Sequence, residues 1–85
     1  MPNWVQSDAY TSVIEALVQL RKEQGLSQVE LAARLGKRQQ FISLVENRER
    51  RLDVVEFCAF VRAMGADPEV VFGKVVKSLP AELKI

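Results

Sequence analysis

A compact all-α domain of five short helices is what the sequence predicts, and three observations carry that expectation. Apolar residues recur at helical spacing along the chain, with no Val/Ile/Thr alternation long enough for a strand. Helix start and stop signals punctuate the pattern at short intervals, and 48% hydrophobic with 27% charged residues is the balance of a globular core under a solvated surface. At 85 residues there is material for one core, so residues 1–85 read as a single domain with no linker, repeat or low-complexity segment.

The first helix is expected over about Ser7 to Gln24, with Tyr10, Val13, Ile14, Leu17 and Leu20 at helical spacing and Gly25 in the place of a left-handed C-terminal cap. Ser7, Thr11 and Ser12 are alternative caps for its start. The second is more sharply marked: Ser27 with Glu30 has the spacing of a capping box, Leu26 before the cap can staple to Leu31, and Gly36 ends it. A third helix occupies about Arg38 to Asn47. The fourth begins at Asp53, which repeats the capping-box spacing with Glu56, and ends at Gly65. The fifth opens with Asp67-Pro68-Glu69, a cap, a proline at the first helical position and a first-turn acid, and runs to about Leu79 before Pro80.

The most informative stretch is SQVELAARLGKRQQFISLVEN, residues 27–47. Two short helices joined by a glycine turn can cross steeply if their contact point is small and the turn reaches the left-handed region, which Ala32 and Gly36 allow. Leu31, Leu35, Ile42 and Val45 then supply the apolar contacts. A helix-turn-helix is favoured by this combination over an ordinary helical hairpin.

Reactive groups exclude more than they offer. With no histidine and one cysteine, Cys58, the chain cannot assemble an intrachain disulfide, a tetrahedral zinc site or a Ser-His or Cys-His pair. Cys58 reads as a small core residue. Gly73-Lys74 lacks the first glycine of a phosphate-binding loop, and no GxGxxG occurs, so neither catalysis nor a cofactor is expected. The longest apolar run, Phe57 to Val61, is far short of a membrane span, and the N-terminus shows no signal peptide, which together point to the cytoplasm.

Net charge is only +1, but it is polarised. Residues 34–51 hold six basic side chains (Arg34, Lys37, Arg38, Arg48, Arg50, Arg51) and two acidic ones (Glu46, Glu49), a local +4 against −3 elsewhere. Such a patch is the footprint of a nucleic-acid partner. The plain alternative is a solvated basic loop in which Glu46 and Glu49 pair with some of the arginines.

At about 100° per residue, Gln39, Gln40, Ser43, Leu44 and Asn47 share one arc of the third helix of roughly 140°, with Phe41, Ile42 and Val45 opposite. Glutamines at a helix N-terminus can make bidentate hydrogen bonds to adenine N6 and N7. Leu44 on that face either meets a thymine methyl or covers a neighbouring side chain. Lys37 and Arg38 oppose the helix dipole and cannot cap free amides, poor choices for stability that become sensible if a phosphate docks there. Arg48, Arg50 and Arg51, after the helix, would hold the nucleic-acid backbone on its far side, with Asn47 beside them.

With these residues in view the chain resembles the phage-repressor and Cro group of transcriptional regulators, the XRE family. The likeness covers about Val13 to Val76 and rests on LSQVELAARLG, RQQFISLVENRE and RRLDVVEF. It implies a lambda-repressor-like fold whose third helix lies in the major groove of double-stranded DNA. It also implies a homodimer and a repressor acting on a palindromic operator. Gln39 and Gln40 match the family's base-reading positions, and Gln28 matches one that often touches the DNA backbone. Two residues depart from the family pattern: Arg48 stands where glycine usually follows the recognition helix, and Arg38 stands where Ser or Thr usually opens it.

Apolar residues on the fourth helix (Val54, Val55, Phe57, Phe60, Val61) and the fifth (Val70, Val71, Phe72, Val75, Val76) exceed what a small monomer can hide. Those helices and the C-terminal tail are therefore expected to contribute to dimerisation, with Trp4 either folded on the core or joining the interface. No ligand-sensing domain fits, so control is expected from abundance, a regulatory protein partner or proteolysis. Two other roles compete: the antitoxin of a toxin-antitoxin pair, and a protein-interaction module that has lost DNA binding.

Overall fold

Helices in this chain start and stop where a side chain or a left-handed residue satisfies the free backbone groups. The computed structural model describes residues 8–83 and holds, within them, α1 (Asp8–Glu23), α2 (Gln28–Leu35), α3 (Gln39–Glu46), α4 (Val54–Ala63) and α5 (Pro68–Ser78). Both capping boxes form. The Ser27 hydroxyl accepts from the Glu30 amide and the Glu30 carboxylate from the Ser27 amide, each at 3.0 Å. Asp53 and Glu56 make the same exchange at 2.7 and 3.0 Å. Asp67 accepts from the Glu69 amide at 2.9 Å, with Pro68 opening α5. Ser12 does not cap α1: its hydroxyl donates to the Asp8 carbonyl at 2.9 Å, one turn inside the helix. Ser7 and Trp4 lie outside the described residues.

Four helices end in one arrangement, in which a left-handed residue and its successor donate back to the last turn. After α2, Gly36 (φ 67°) donates to Ala33 and Lys37 to Ala32. Gly25 and Gly65 close α1 and α4 in the same way, but the position after α3 is Arg48, at φ 60°. Its amide donates to Val45 and that of Glu49 to Leu44, at 3.0 and 2.9 Å.

Burial orders the elements. Ile14 and Leu17 of α1, Leu31 and Ala32 of α2, Ile42 and Val45 of α3 and Val61 of α4 share one core, completed by Val75 of α5. Ala32, the small residue expected at the contact of α2 with α3, is 2% exposed. Leu26 and Leu31 are both buried, as the staple requires. Cys58 packs half-buried against the core.

The apolar residues of α4 divide between core and surface. Phe60 is buried against α3, its ring 6.0 Å from that of Phe41. Exposed large apolar residues are Val29 of α2, Val54 and Val55 at the start of α4, Val70, Phe72 and Val76 of α5, and Leu83. Among the described residues, no helix is long and apolar enough to cross a membrane.

Candidate nucleic-acid interface

α3 presents the arc that its periodicity implied. Gln39, Gln40 and Asn47 are exposed, Ser43 and Leu44 half-buried, Ile42 and Val45 buried. Asn47 Nδ2 donates to Ser43 Oγ at 3.4 Å, one turn back on the same face. Arg38 caps the helix without a side-chain hydrogen bond, and the Phe41 amide donates to the Arg38 carbonyl at 3.0 Å.

A polar relay connects this face to the interior. Arg21, 8% exposed, lies in the core stripe of α1. Its Nε and Nη2 donate to Glu46 Oε2 and Oε1 at 2.6 and 2.9 Å, and its Nη1 donates to the Leu26 carbonyl at 2.8 Å. Gln28 Nε2 donates to Glu46 Oε1 at 2.9 Å, and Gln39 Nε2 donates to Gln28 Oε1 at 3.2 Å. The polarity of the chain follows from its inner end. A carboxylate only accepts, so Gln28 must turn its amino group inward and its carbonyl toward Gln39, which must then donate. Gln39 keeps its carbonyl and one N–H for another partner, the acceptor and donor that adenine N6 and N7 require.

The basic patch is arranged differently from a simple solvated loop. Glu46 pairs with Arg21 of α1 rather than with an arginine of the patch. Arg34 Nη1 donates to the Ala63 carbonyl at 2.8 Å, satisfying the end of α4. Lys37 sits 5.3 Å from the centre of the Phe41 ring, and Arg51 lies over Tyr10 at 5.8 Å, the Tyr10 hydroxyl accepting from the Leu52 amide at 3.0 Å. Arg38 and Arg48 make no ion pair among the described residues.

Arg50 pairs with Glu56 at 2.8 Å. Hydrogen bonds from Arg50 first, then the capping bond from Asp53, hold the Glu56 carboxyl below the usual carboxylate range, and the same bonds raise Arg50. Because the carboxyl is lowered, the pair is complete above the ordinary carboxylate range and is lost only as pH falls through the depressed value. At neutral pH it is intact.

Sequence reasoning missed Arg21 as the inner anchor and Glu56 as the partner of Arg50. A signal existed for the first: Arg21 extends the buried series Ile14, Leu17 by one helical turn.

The helix-turn-helix family model HTH_3 matches residues 17–71. A solved structure described as an XRE-family like protein from Pseudomonas syringae pv. tomato str. DC3000 is 41% identical, covers 92% of this chain and 95% of its own, and superposes with a TM-score of 0.83. The chain belongs to the XRE family of helix-turn-helix proteins. This XRE-family domain shares its fold with two more distant structures. A point mutant of the restriction-modification controller protein C.Esp1396I is 24% identical, with 84% of this chain and 90% of that chain covered and a TM-score of 0.75. The clp gene regulator ClgR from C. glutamicum is 18% identical, with 89% and 99% covered and a TM-score of 0.73. No curated protein matches the chain. XRE-type domains are DNA-binding transcription regulators rather than enzymes.

Arg48 gives the site a measurable signature. A non-glycine residue in the left-handed region costs about 1 kcal/mol, and in the other three helix ends glycine avoids that cost. Arg48→Gly is therefore expected to raise stability by about 1 kcal/mol in denaturant titration while weakening binding to all DNA sequences. Loss of stability would contradict the backbone strain at this position, and unchanged DNA affinity would contradict a phosphate-facing role for this guanidinium.

Proposed function

We propose that this chain is a sequence-specific transcriptional repressor that binds a palindromic operator in double-stranded DNA as a homodimer. The observation that carries the reading is the relay ending at Gln39, an exposed glutamine whose amide is oriented from the core at the start of α3. Gln40, Ser43 and Leu44 extend the same base-reading face. Lys37 and Arg38 before α3, and Arg48 and Arg51 after it, would neutralise phosphates on either side, with Gln28 and Asn47 adding hydrogen bonds to the backbone. The exposed Val70, Phe72 and Val76 of α5, with Val54 and Val55 of α4, support dimerisation through that end of the domain.

Four to six phosphate contacts per subunit give a dimer an expected slope of log K against log salt of roughly −7 to −11. A dimer with recognition helices about 34 Å apart should also select an inverted repeat from random DNA, its half-sites one helical turn apart. A slope near zero would leave only an interaction module. Selection of isolated half-sites by a protein that sediments as a monomer would remove the dimer.

A further inference from the structure

We infer that Arg50 is a positioning residue for the recognition helix and acts on DNA through Phe41 and Glu56, without neutralising a phosphate. Its guanidinium joins three pieces of the chain. Nη1 donates to the Arg51 carbonyl at 2.8 Å and to Glu56 Oε1 at 2.9 Å, and Nη2 donates to Glu56 Oε2 at 2.8 Å. The Arg50 Cζ lies over the Phe41 ring, 4.7 Å from its centre. Phe41 in turn meets the buried Phe60 of α4. The Arg50 amide also donates to the Leu44 carbonyl at 3.2 Å, tying the loop to the end of α3.

Chemistry separates this arginine from its neighbours. A planar fork with a π face fits a carboxylate edge and an aromatic ring together, which an ammonium cannot do. Glu56 is already fixed by the Asp53 amide, so the fork is anchored to the first turn of α4 rather than to a mobile side chain. Phe41 follows Gln40 directly, and an error in its placement rotates the exposed arc of α3. The Arg50–Glu56 pair carries no net charge, so it adds nothing to the counterions that DNA binding releases. Arg38 and Arg48, which make no ion pair among the described residues, are in the opposite condition.

The inference rests on the DNA-binding reading, and the test separates their failures. Wild type, Arg50→Ala, Arg50→Lys and Phe41→Leu would be compared on the selected operator and on random DNA across a salt series, with melting curves to keep every measurement on folded protein. Positioning predicts that Arg50→Lys, which keeps the charge, behaves like Arg50→Ala. Both lose about tenfold in the ratio of specific to random binding, the size of one lost base contact, and keep the wild-type salt slope. Phe41→Leu, which removes the ring without touching any charge, should lower the same ratio and serves if the Arg50 variants fail to fold. A phosphate contact predicts the reverse: Arg50→Ala lowers the slope by about one per subunit and weakens both DNAs equally, and Arg50→Lys retains most affinity. That outcome, or unchanged ratios in all three variants, overturns the inference. No binding by the wild type would overturn the DNA-binding reading itself.

Discussion

Arg21→Met is expected to cost about 3–5 kcal/mol, because it removes one partner of a buried pair and leaves a carboxylate without its cation. In a domain of this size that is a large share of total stability and lowers the melting temperature by about 15–30 °C. The reason lies in the exposures, 9% for the Arg21 side chain and 12% for that of Glu46: water cannot replace the guanidinium. Gln28 then remains as a single neutral donor to Glu46, and the Leu26 carbonyl loses its bond from Nη1. Replacing both partners, with Glu46→Leu added, should recover much of the loss, since an apolar pair of similar volume carries no desolvation penalty. The double variant has a second use. Without Glu46 nothing fixes which way the Gln28 amide faces, so the protein should fold and still discriminate its operator poorly. If Arg21→Met melts within about 3 °C of wild type, the ion pair is not the buried anchor described.

What the sequence made legible was local. Ser27 with Glu30 and Asp53 with Glu56 are three residues apart, and a capping box is complete within one turn, so spacing alone specified it. The exposed arc of α3 followed from periodicity, because the rotation per residue is fixed once the helix forms. Interactions closed by tertiary packing were not legible. Arg21 and Glu46 are 25 residues apart and meet only after α1 has packed on α3. Counting charges placed Glu46 in the basic patch, within reach of a nearby arginine; packing turned it inward to Arg21. Which apolar residues of α4 are buried was not legible for a related reason. α4 is apolar on several sides, so its pattern does not say which face meets the core, and the choice is made by Phe41 on the neighbouring helix. Arg48 was visible as a departure from the family pattern, but its left-handed backbone required coordinates.

Gln39→Ala is expected to cost about 1–3 kcal/mol on the selected operator, a factor of about 5 to 150, and little on random DNA, because the lost bonds are to base edges. The salt slope should not change, since no charge is removed. Gln40→Ala, on the same exposed turn, should behave alike, and Ser43→Ala should show a smaller effect of the same kind. Ile42→Ala, at 0% exposure, should instead lower the melting temperature through a core cavity. The relay adds a sharper expectation. Gln28→Ala removes the acceptor that orients Gln39, so it should reduce specificity without a base contact of its own. Once Gln39 is alanine there is nothing left to orient, and Gln28→Ala in that background should cost less than it does alone. A double-mutant cycle on the operator therefore returns a non-zero coupling between the two glutamines, while the same cycle on random DNA returns none. Additive losses would mean that Gln28 and Gln39 touch DNA independently. Unchanged ratios for both Gln39→Ala and Gln40→Ala would move base recognition to Leu44, Asn47 or Arg38.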